Sequence, residues 1–545
     1  MEPIWRKSWP PHIPDTVDPD SVGTLANLAD SAFDHFRAQP AYHNRGTTLT
    51  YAEVDNLSAR WCAFLQNRLG LVKGDRIALM CPNILPFPVA MYGHFRAGLV
   101  QVNVNPLYTP RELRHQLNDA GVETIVLVES ALPALQEILA EVPIRNAVII
   151  GRDDLLQGAC AGMSAAPELP GVQSFTFGQA LAEGEGLART PVELDGADLA
   201  FLQYTGGTTG LAKGAMLSHR NVITNVLAFT AFLGDDIFGA EQEKTVVTAT
   251  PLYHILGLAV NCLSFLHKGG LNLLIDNPRD LPALVAELRK WPFNVITGVN
   301  TLFNGLLHTP GFDELDFSSL KLAMGGGTPI QEAISTRWHA VTGKHIKEGF
   351  GMSETGGVTQ TPPDMEGFRS TIGLPFPSLE VSLRDEQDNE VGIGEPGELC
   401  FRGPTVMRGY WRREDLNDSI FTRDGYFRTG DIATVDADGY FRIVDRKKDM
   451  ILVSGFNVYP VEVEEVGTAA PGVFECACIG VPDEKTGEAV KLFVVPRPGE
   501  DASADTIRDY CRKNLAAYKV PRHVEFIDTL PKSAVGKILR RELRK

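Results

Sequence analysis

The chain has 545 residues, of which 44% are apolar, and it carries a formal net charge of −17 at neutral pH. One hydrophobic core rarely serves a chain of this length, so we expect two or more domains. The negative charge argues against nonspecific nucleic-acid binding, and no run of about 18 apolar residues predicts a membrane span. The first residues, MEPIWRKSWPPHIP, do not match a signal peptide, which indicates a cytoplasmic protein.

The eight cysteines are scattered along the sequence, and no CxxC or cysteine–histidine cluster has the spacing of a zinc site. Cys476 and Cys478 alternate along a predicted strand, as packed thiols do. The sequence therefore predicts no structural metal site.

The first part of the chain alternates apolar strands with helices. The predicted strands are 76–81, 99–104, 124–128, 244–250, 293–297 and 321–324, and the predicted helices are 89–97, 110–120 and 330–342. Such alternation is typical of parallel sheets covered by helices, in which ligands bind at the carboxyl ends of the strands.

After about residue 381 the pattern changes to short strands separated by turns, which predicts a β-rich subdomain. The charged segment 444–449 is a plausible domain boundary, and an amphipathic helix around Ile507 and Cys511 follows it. The predicted fold class is α/β. A large N-terminal domain of parallel β/α sheets, residues 1–447, precedes a small α+β domain, residues 448–545.

Residues 204–214, YTGGTTGLAKG, are the most informative segment of the sequence. Glycine lets the backbone approach an anion closely, threonine hydroxyls donate hydrogen bonds, and Lys213 supplies a positive charge. This composition predicts a phosphate-binding loop. It is not a Walker A loop, because Lys213 is followed by Gly214 rather than by serine or threonine. We place this loop, and a second one at 325–327, at strand-to-helix junctions.

Four other segments carry weaker signals, and each has an ordinary structural alternative. In FGMSET (350–355), after a predicted strand end, the aromatic offers a stacking surface and Glu354 is a suitable oxygen ligand for Mg²⁺; the alternative is a turn. Asp431 in YFRTGD could accept both ribose hydroxyls, or simply follow a glycine turn. Lys537 lies in a basic loop and could be a solvated charge, and His254 could be a buried core histidine.

One segment, GIGEPG at 392–397, matches the glycine pattern of a dinucleotide-binding loop. No strand precedes it closely, it contains Pro396, and a predicted strand rather than a helix follows. We interpret it as a turn.

In this order, the segments resemble those of the AMP-forming acyl-adenylate family, which includes acyl-CoA synthetases, luciferases and nonribosomal adenylation domains. The resemblance covers nearly the whole chain. PLYHILGLAVNCL, FNVITGVNTLFN and RIVDRKKDMILVSGFNVYP are most similar to segments of bacterial long-chain fatty acid–CoA ligases.

The resemblance implies a role for each matched residue. The residues implied to bind the ATP phosphates are Thr205, Gly206, Gly207, Thr208, Thr209, Gly210 and Lys213. Those implied to form the adenine pocket are Gly325, Gly326, Gly327, Thr328, Pro329, Phe350 and Gly351. Asp431 and Arg446 are implied to bind the ribose, and Glu354 with Thr208 to bind Mg²⁺. His254 and Asn300 are implied to line the acyl site.

The resemblance also implies a mobile C-terminal domain that rotates about Lys448 between two half-reactions. Lys537, with Glu354 and Thr205, is implied to act in acyl-AMP formation, while Gly455 and Phe456 are implied to contact the pantetheine of CoA. The implied activity is ATP-dependent, Mg²⁺-requiring activation of a fatty acid to acyl-AMP and pyrophosphate, followed by transfer to CoA with release of AMP.

Alternatives remain open at the sequence level. Residues 355–358, TGGV, differ from those of most long-chain ligases, so the acid could be medium-chain or aromatic. A non-catalytic nucleotide sensor is a more remote alternative. The expected partners are the fatty acid, ATP and CoA, with no nucleic acid. Reversible contact with the inner face of the membrane and a homodimer are left open.

Overall fold

The computed structural model describes residues 1–156, 165–205, 212–239, 244–454, 456–483, 485–533 and 536–544. The strands are β1 (Pro40–Asn44), β2 (Thr47–Thr50), β3 (Arg76–Met80), β4 (Val100–Asn103), β5 (Thr124–Val128), β6 (Asn146–Ile150), β7 (Gln173–Thr176), β8 (Leu199–Thr205), β9 (Lys213–Ser218), β10 (Thr245–Thr248), β11 (Leu271–Leu274), β12 (Val295–Gly298), β13 (Leu322–Gly326), β14 (Ile346–Met352), β15 (Gly356–Gln360), β16 (Leu374–Pro375), β17 (Glu380–Arg384), β18 (Gly397–Arg402), β19 (Phe427–Val435), β20 (Phe441–Arg446), β21 (Ile451–Val453), β22 (Phe456–Val458), β23 (Val473–Asp483), β24 (Gly487–Pro496) and β25 (His523–Phe526).

The α-helices are α1 (Leu25–His35), α2 (Tyr51–Asn67), α3 (Pro86–Arg96), α4 (Pro110–Ala120), α5 (Leu132–Ile138), α6 (Phe177–Glu185), α7 (His219–Phe238), α8 (Ser264–His267), α9 (Leu281–Leu288), α10 (Asn300–Leu307), α11 (Glu332–Thr342), α12 (Glu414–Ile420), α13 (Pro460–Thr468), α14 (Ala504–Asn514) and α15 (Arg540–Leu543). A π-helix, Leu256–Leu263, leads into α8. Among the helices in the described ranges, none combines the length and the apolar character needed to cross a bilayer.

In the described part of the chain these strands form four sheets. A seven-stranded sheet has the order β7-β6-β5-β3-β4-β8-β9 and a nine-stranded sheet the order β16-β15-β14-β13-β12-β10-β11-β1-β2. The inner pairs of both are parallel, whereas β8–β9, β1–β2, β14–β15 and β15–β16 are antiparallel. The predicted α/β class is therefore confirmed.

The β-rich part predicted after residue 381 forms an antiparallel sheet, β17-β18-β19-β20. The last sheet, β22-β21-β24-β23 with β25 beside β24, belongs to the C-terminal segment and packs against α13 and α14. Ile507 and Cys511 of α14 are fully buried, as the amphipathic pattern predicts. The GIGEPG segment forms a turn, also as predicted, and its last residue, Gly397, begins β18.

Local sequence signals explain the helix that was predicted most accurately. Thr109 caps α4, since its side chain accepts from the backbone N–H of Glu112 while Glu112 reaches back to Thr109. Pro110 occupies the first helical position, and Gly121 ends the helix in a left-handed conformation with φ of 63°. Each is a standard start or stop signal, which is why the bounds 110–120 could be predicted from sequence.

Aromatic side chains join helix α2 to helix α6 and the N-terminal segment to the β-rich sheet. The indole of Trp61 on α2 stacks on Phe64 with ring centroids 5.7 Å apart and lies 5.2 Å from the ring of Phe177 on α6. Trp5 from the N-terminal segment packs edge-on against Phe441 of β20, with ring centroids 5.9 Å apart. The N-terminal segment thereby fastens the β-rich sheet to the rest of the body.

Candidate active site

The predicted phosphate loop connects two antiparallel strands. β8 ends at Thr205 and β9 begins at Lys213, and these two residues are paired across the hairpin. The prediction of a strand-to-helix junction is therefore wrong for this loop, because residues 213–218 continue as a strand before Ser218 caps α7. The implied phosphate ligands Gly206, Gly207, Thr208, Thr209 and Gly210 lie outside the described residues.

Lys213, the first residue of β9, lies near other predicted site residues. Its Nζ lies 4.4 Å from the ring centroid of Tyr410. The hydroxyl of Tyr410 donates a hydrogen bond of 2.6 Å to Oε1 of Glu354, which is 5% exposed. Oε2 of Glu354 has no hydrogen bond within the described part of the chain. Lys213 and Glu354, distant in sequence, thus meet through one tyrosine.

The second glycine loop follows β13 and precedes α11, so here the strand-to-helix prediction is confirmed. Gly325 and Gly326 are the last residues of β13, and Gly327 has a positive φ of 77°. Oγ1 of Thr328 is buried and without a hydrogen-bond partner among the described residues. The loop therefore contains one buried hydroxyl that no described residue uses.

Two side chains accept hydrogen bonds from backbone N–H groups that follow this loop. The backbone N–H of Ile330 donates to Oε1 of Glu348 at 2.8 Å, and that of Gln331 donates to Oδ1 of Asn300 at 3.1 Å. Burial raises the pKa of Glu348 to about 8, although the bond from Ile330 opposes this effect. In this structure Asn300 thus contacts the start of α11, and its implied role in lining the acyl site stays a prediction.

Phe350 and Gly351 lie within β14, not after its end as predicted, because the segment pairs with β15 through Met352. The ring of Phe350 stacks at 6.3 Å on that of Phe401, with 23° between the planes. Gly351 packs so closely on β15 that a Cβ there would meet the carbonyl oxygen of Gly356 at 2.3 Å. The strand thus presents one half-buried aromatic face beside Glu354.

Asp431 and Arg446 face each other on neighbouring strands of the β-rich sheet. They are paired in the register of β19 and β20, and Nε of Arg446 lies 3.1 Å from Oδ1 of Asp431. Asp431 is 3% exposed, and its Oδ2 is buried without a hydrogen-bond partner in the described residues. Burial raises the pKa of Asp431, while Arg446 and then Lys537 oppose the increase.

Lys537 reaches this site from the C-terminal segment. A Cβ placed on Gly327 would lie 3.1 Å from Cε and 3.6 Å from Nζ of Lys537. The preceding Gly536 is equally close to the body, since a Cβ there would meet Thr301 Oγ1 and Val299 Cγ2 at 3.0 Å. Burial, followed by the nearby Arg446, lowers the pKa of Lys537 to about 8, although Asp431 and Glu354 oppose that change.

His254 lies between β10 and the π-helix. Burial, with a smaller contribution from Lys537, lowers the pKa of His254 to about 3, so the ring is neutral at physiological pH. Its Nδ1 accepts a long hydrogen bond of 3.4 Å from the backbone N–H of Leu256. His254 therefore borders the space under Lys537 as an uncharged side chain.

The residues implied for the second half-reaction lie elsewhere. Lys448 is exposed at the junction after β20, and Gly455 lies outside the described residues. Phe456 is 57% exposed and stacks on Tyr518 with ring centroids 5.0 Å apart. In this arrangement Lys537, and not Phe456, faces the glycine loop.

A large groove lies apart from the predicted site residues. A groove of about 1100 Å³ lies between α11 and the C-terminal segment, lined by Arg337, Arg442, Glu465 and Arg497 among others. Among the described residues that line it, none is a predicted site residue. Sequence reasoning missed Tyr410 and Glu348. Glu348 directly precedes the glycine–aromatic motif and could have been noticed, whereas Tyr410 carries no motif signal.

Comparisons with known proteins identify the family of the chain. The AMP-binding enzyme family model matches residues 29–411, and the model of the AMP-binding enzyme C-terminal domain matches residues 462–537. The chain is 48% identical to the long-chain-fatty-acid–CoA ligase of Escherichia coli O157:H7, over 100% of this chain and 98% of the relative. It is 35% identical to a feruloyl-CoA synthase of Amycolatopsis sp., over 93% and 95% of the two chains.

Among solved structures, ATP-bound MatB from Rhodopseudomonas palustris is 30% identical and superposes with a TM-score of 0.82, covering 95% of this chain and 98% of MatB. Apo MatB, with the same identity and coverage, gives a TM-score of 0.73. The chain belongs to the AMP-binding enzyme family.

Proposed function

We propose that the protein is a long-chain fatty acid–CoA ligase. In the first step a carboxylate oxygen bonds to the α-phosphorus of ATP as the bond to pyrophosphate breaks; in the second, the CoA sulfur bonds to the acyl carbon and AMP leaves. The observation that carries the proposal is Lys537, whose ammonium lies over the loop at Gly327 and interacts with Asp431 and Glu354. The names of the relatives support a fatty acid as the substrate.

The first step requires positive charge, because it brings a carboxylate toward a polyphosphate. At ~4 Å and an effective dielectric constant near 20, each pair of like unit charges costs about 4 kcal/mol. Lys537 approaches this space from the glycine loop, and Lys213 approaches it from the hairpin. Bound ATP raises the pKa of Lys537 from about 8, so the ammonium would be charged when it is needed.

Two unused buried oxygens support the nucleotide assignment. Asp431 Oδ2 has no hydrogen-bond partner in the described residues. Burying a carboxylate oxygen without a hydrogen bond costs free energy, unless a bound ligand donates that hydrogen bond. We infer that ribose hydroxyls donate to Asp431, with Arg446 fixing the carboxylate. Thr328 Oγ1 is similarly free to contact the nucleotide, and Phe350 offers its face to the adenine.

The residues present fit a magnesium ion near Glu354. One oxygen of this carboxylate is engaged by Tyr410, and the other is left for a ligand, which matches the single-carboxylate contact that Mg²⁺ often makes beside phosphates. Bound Mg²⁺ would neutralise phosphate charge. Thr208, the second implied ligand, remains a sequence-based proposal.

We further propose that the C-terminal domain, residues 448–545, rotates about Lys448 between the two steps. Lys537 occupies the space that CoA must reach in the second step, so one arrangement cannot serve both. The higher TM-score of ATP-bound MatB than of apo MatB supports assigning this arrangement to the first step. In the second, Gly455 and the now exposed Phe456 would meet the pantetheine.

An aromatic acid is the second candidate substrate. The 35% identity to a feruloyl-CoA synthase favours it, and residues 355–358 depart from the long-chain pattern. The two reaction steps would be the same, and only the residues that line the acyl-binding pocket would differ.

The deciding experiment measures AMP release with ATP, Mg²⁺ and CoA across acetate, octanoate, oleate and 4-hydroxycinnamate. We expect CoA-dependent turnover that is greatest with oleate. A maximum on 4-hydroxycinnamate would replace the proposed substrate with the aromatic one. AMP release that is independent of every acid would refute the ligase.

The site of action is also a proposal. We propose a cytoplasmic protein that visits the membrane reversibly to collect fatty acid, since long-chain acids partition into bilayers. Flotation with anionic vesicles, with and without oleate, tests this, and absence of the protein from the floated fraction in both conditions would refute it. Sedimentation equilibrium tests whether the protein is a homodimer.

A further inference from the structure

A short segment, residues 408–412, forms an additional backbone partner for β9. The N–H of Met216 donates to the carbonyl of Gly409 at 3.0 Å, and the N–H of Trp411 donates to that of Gly214 at 2.8 Å. Ala215 and Tyr410 are paired across this contact. Because Lys213 is the first residue of β9, the 408–412 segment lies next to the end of the phosphate loop.

The side chain of Tyr410 lies between two groups of opposite charge. It is 6% exposed, its hydroxyl donates to Glu354 Oε1 at 2.6 Å, and its ring lies 4.4 Å from Lys213 Nζ. Burial and the adjacent Glu354 raise the pKa of Tyr410, so the hydroxyl keeps its proton and remains a donor. A cation near an aromatic face is attracted to it, which restrains the long lysine side chain.

The backbone of Tyr410 is fixed independently of these contacts. The backbone N–H of Tyr410 donates to Oδ1 of Asn417 at 2.7 Å, and Nδ2 of Asn417 donates to the backbone carbonyl of Tyr410 at 3.1 Å. Gly409 has a positive φ of 138°, and a Cβ there would meet Cγ of Asn417 at 2.8 Å. The N–H of Met407 donates to the carbonyl of Glu354 at 2.8 Å, so the two segments are also joined through their backbones.

We propose that Tyr410 is a positioning residue that holds Glu354 and Lys213 in register for the Mg²⁺ complex of ATP. This rests on the proposed function, since it concerns the same nucleotide. The hydroxyl occupies one oxygen of Glu354 and turns the other toward the cation. The ring keeps the ammonium of Lys213 at the phosphates.

The test compares Tyr410→Phe with Tyr426→Phe. Tyr426 is a matched control outside the site: it is 7% exposed, its hydroxyl donates to Oε2 of Glu380 at 3.1 Å, and its ring lies 4.6 Å from the guanidinium of Arg402. Binding of α,β-methylene ATP is measured by calorimetry over a range of Mg²⁺ concentrations, without turnover. We expect Tyr410→Phe to raise the half-saturating Mg²⁺ concentration about tenfold, and Tyr426→Phe to leave it within twofold of the wild type.

A double-mutant cycle separates orientation of Glu354 from general damage. In a Glu354→Ala background the hydroxyl has no carboxylate to orient, so Tyr410→Phe should not change the Mg²⁺ dependence further. Thermal unfolding of each variant checks the fold. If Tyr410→Phe is poorly folded, the cycle is carried out with Asn417→Ala, which frees the backbone of Tyr410.

Two outcomes would overturn the inference: an unchanged Mg²⁺ dependence in Tyr410→Phe, or an equal change in both backgrounds. Failure of the proposed function is distinguishable from either. In that case the wild-type protein would bind the ATP analogue without releasing AMP when acid and CoA are supplied.

Discussion

The depressed pKa of Lys537 predicts that the two half-reactions respond to pH in opposite directions. With a pKa of about 8, the ammonium is about 90% charged at pH 7 and about 10% charged at pH 9 in the free enzyme. The difference from the ordinary value of 10.5 corresponds to about 3 kcal/mol of lost preference for the charged form, attributable first to burial. The kcat/KM for ATP in acyl-AMP formation should therefore fall about tenfold per pH unit above 8, because it reports the free enzyme.

Thioester formation from supplied acyl-AMP should not show this loss, since the proposed rotation removes Lys537 from the site before this step and the CoA thiol becomes more ionised as pH rises. Pyrophosphate release measured without CoA follows the first step, and thioester absorbance follows the second. Lys537→Ala should abolish the first and spare the second. Lys537→Arg, which stays charged, should remove the alkaline loss from whatever activity remains. An equal alkaline loss in both half-reactions, or a flat first step to pH 10, would refute the reasoning.

Three further substitutions, two of them paired with a control substitution, test other parts of the structure. Asp431→Asn should raise the KM for ATP on the order of tenfold, since the buried carboxylate oxygen proposed to accept a hydrogen bond from the ribose is lost. An unchanged KM in steady-state assays would exclude Asp431 from the nucleotide site. Gly327→Ala and Gly343→Ala should each cost roughly 1–2 kcal/mol of unfolding free energy, because φ is 77° and 73°, but only Gly327 abuts Lys537. Only Gly327→Ala should therefore slow acyl-AMP formation in the pyrophosphate assay, and equal slowing by both would contradict this. Gly184→Ala should destabilise by roughly 1–3 kcal/mol in denaturant unfolding, since its Cβ would lie 2.1 Å from the carbonyl of Arg60. Gly186→Ala, which meets nothing within 4 Å, is its control, and an equal loss there would exclude overpacking as the cause.

Local signals account for the parts of the fold that were predicted well. The Thr109 cap and Gly121 stop specify α4 within the segment itself, and the apolar run 124–128 coincides with β5. Helix α3 begins at Pro86, earlier than predicted, because it is buried on every side and has no polar face to mark its start. Such a helix carries no amphipathic pattern from which its bounds can be read.

The errors at the site come from pairing, which sequence patterns do not report. Residues 213–218 look like the continuation of a glycine loop until β8 and the 408–412 segment are found on either side of them. Phe350 lies inside a strand only because β15 returns beside it. Tyr410 could not have been selected, since its importance depends on contacts with residues 56 positions before it and further.

The hairpin that carries the predicted phosphate loop has a consequence for the order of product release. In a strand-to-helix loop, a helix N-terminus contributes a permanent partial positive charge to the bound phosphates. Here α7 begins only after β9, so its N-terminus does not directly follow the predicted loop, and in the proposed function side-chain cations would supply more of that charge. One of these cations, Lys537, belongs to the C-terminal domain. If that domain rotates away as proposed, pyrophosphate would lose part of its charge neutralisation, so the motion proposed to admit CoA would also favour release of the leaving group and make the first step hard to reverse.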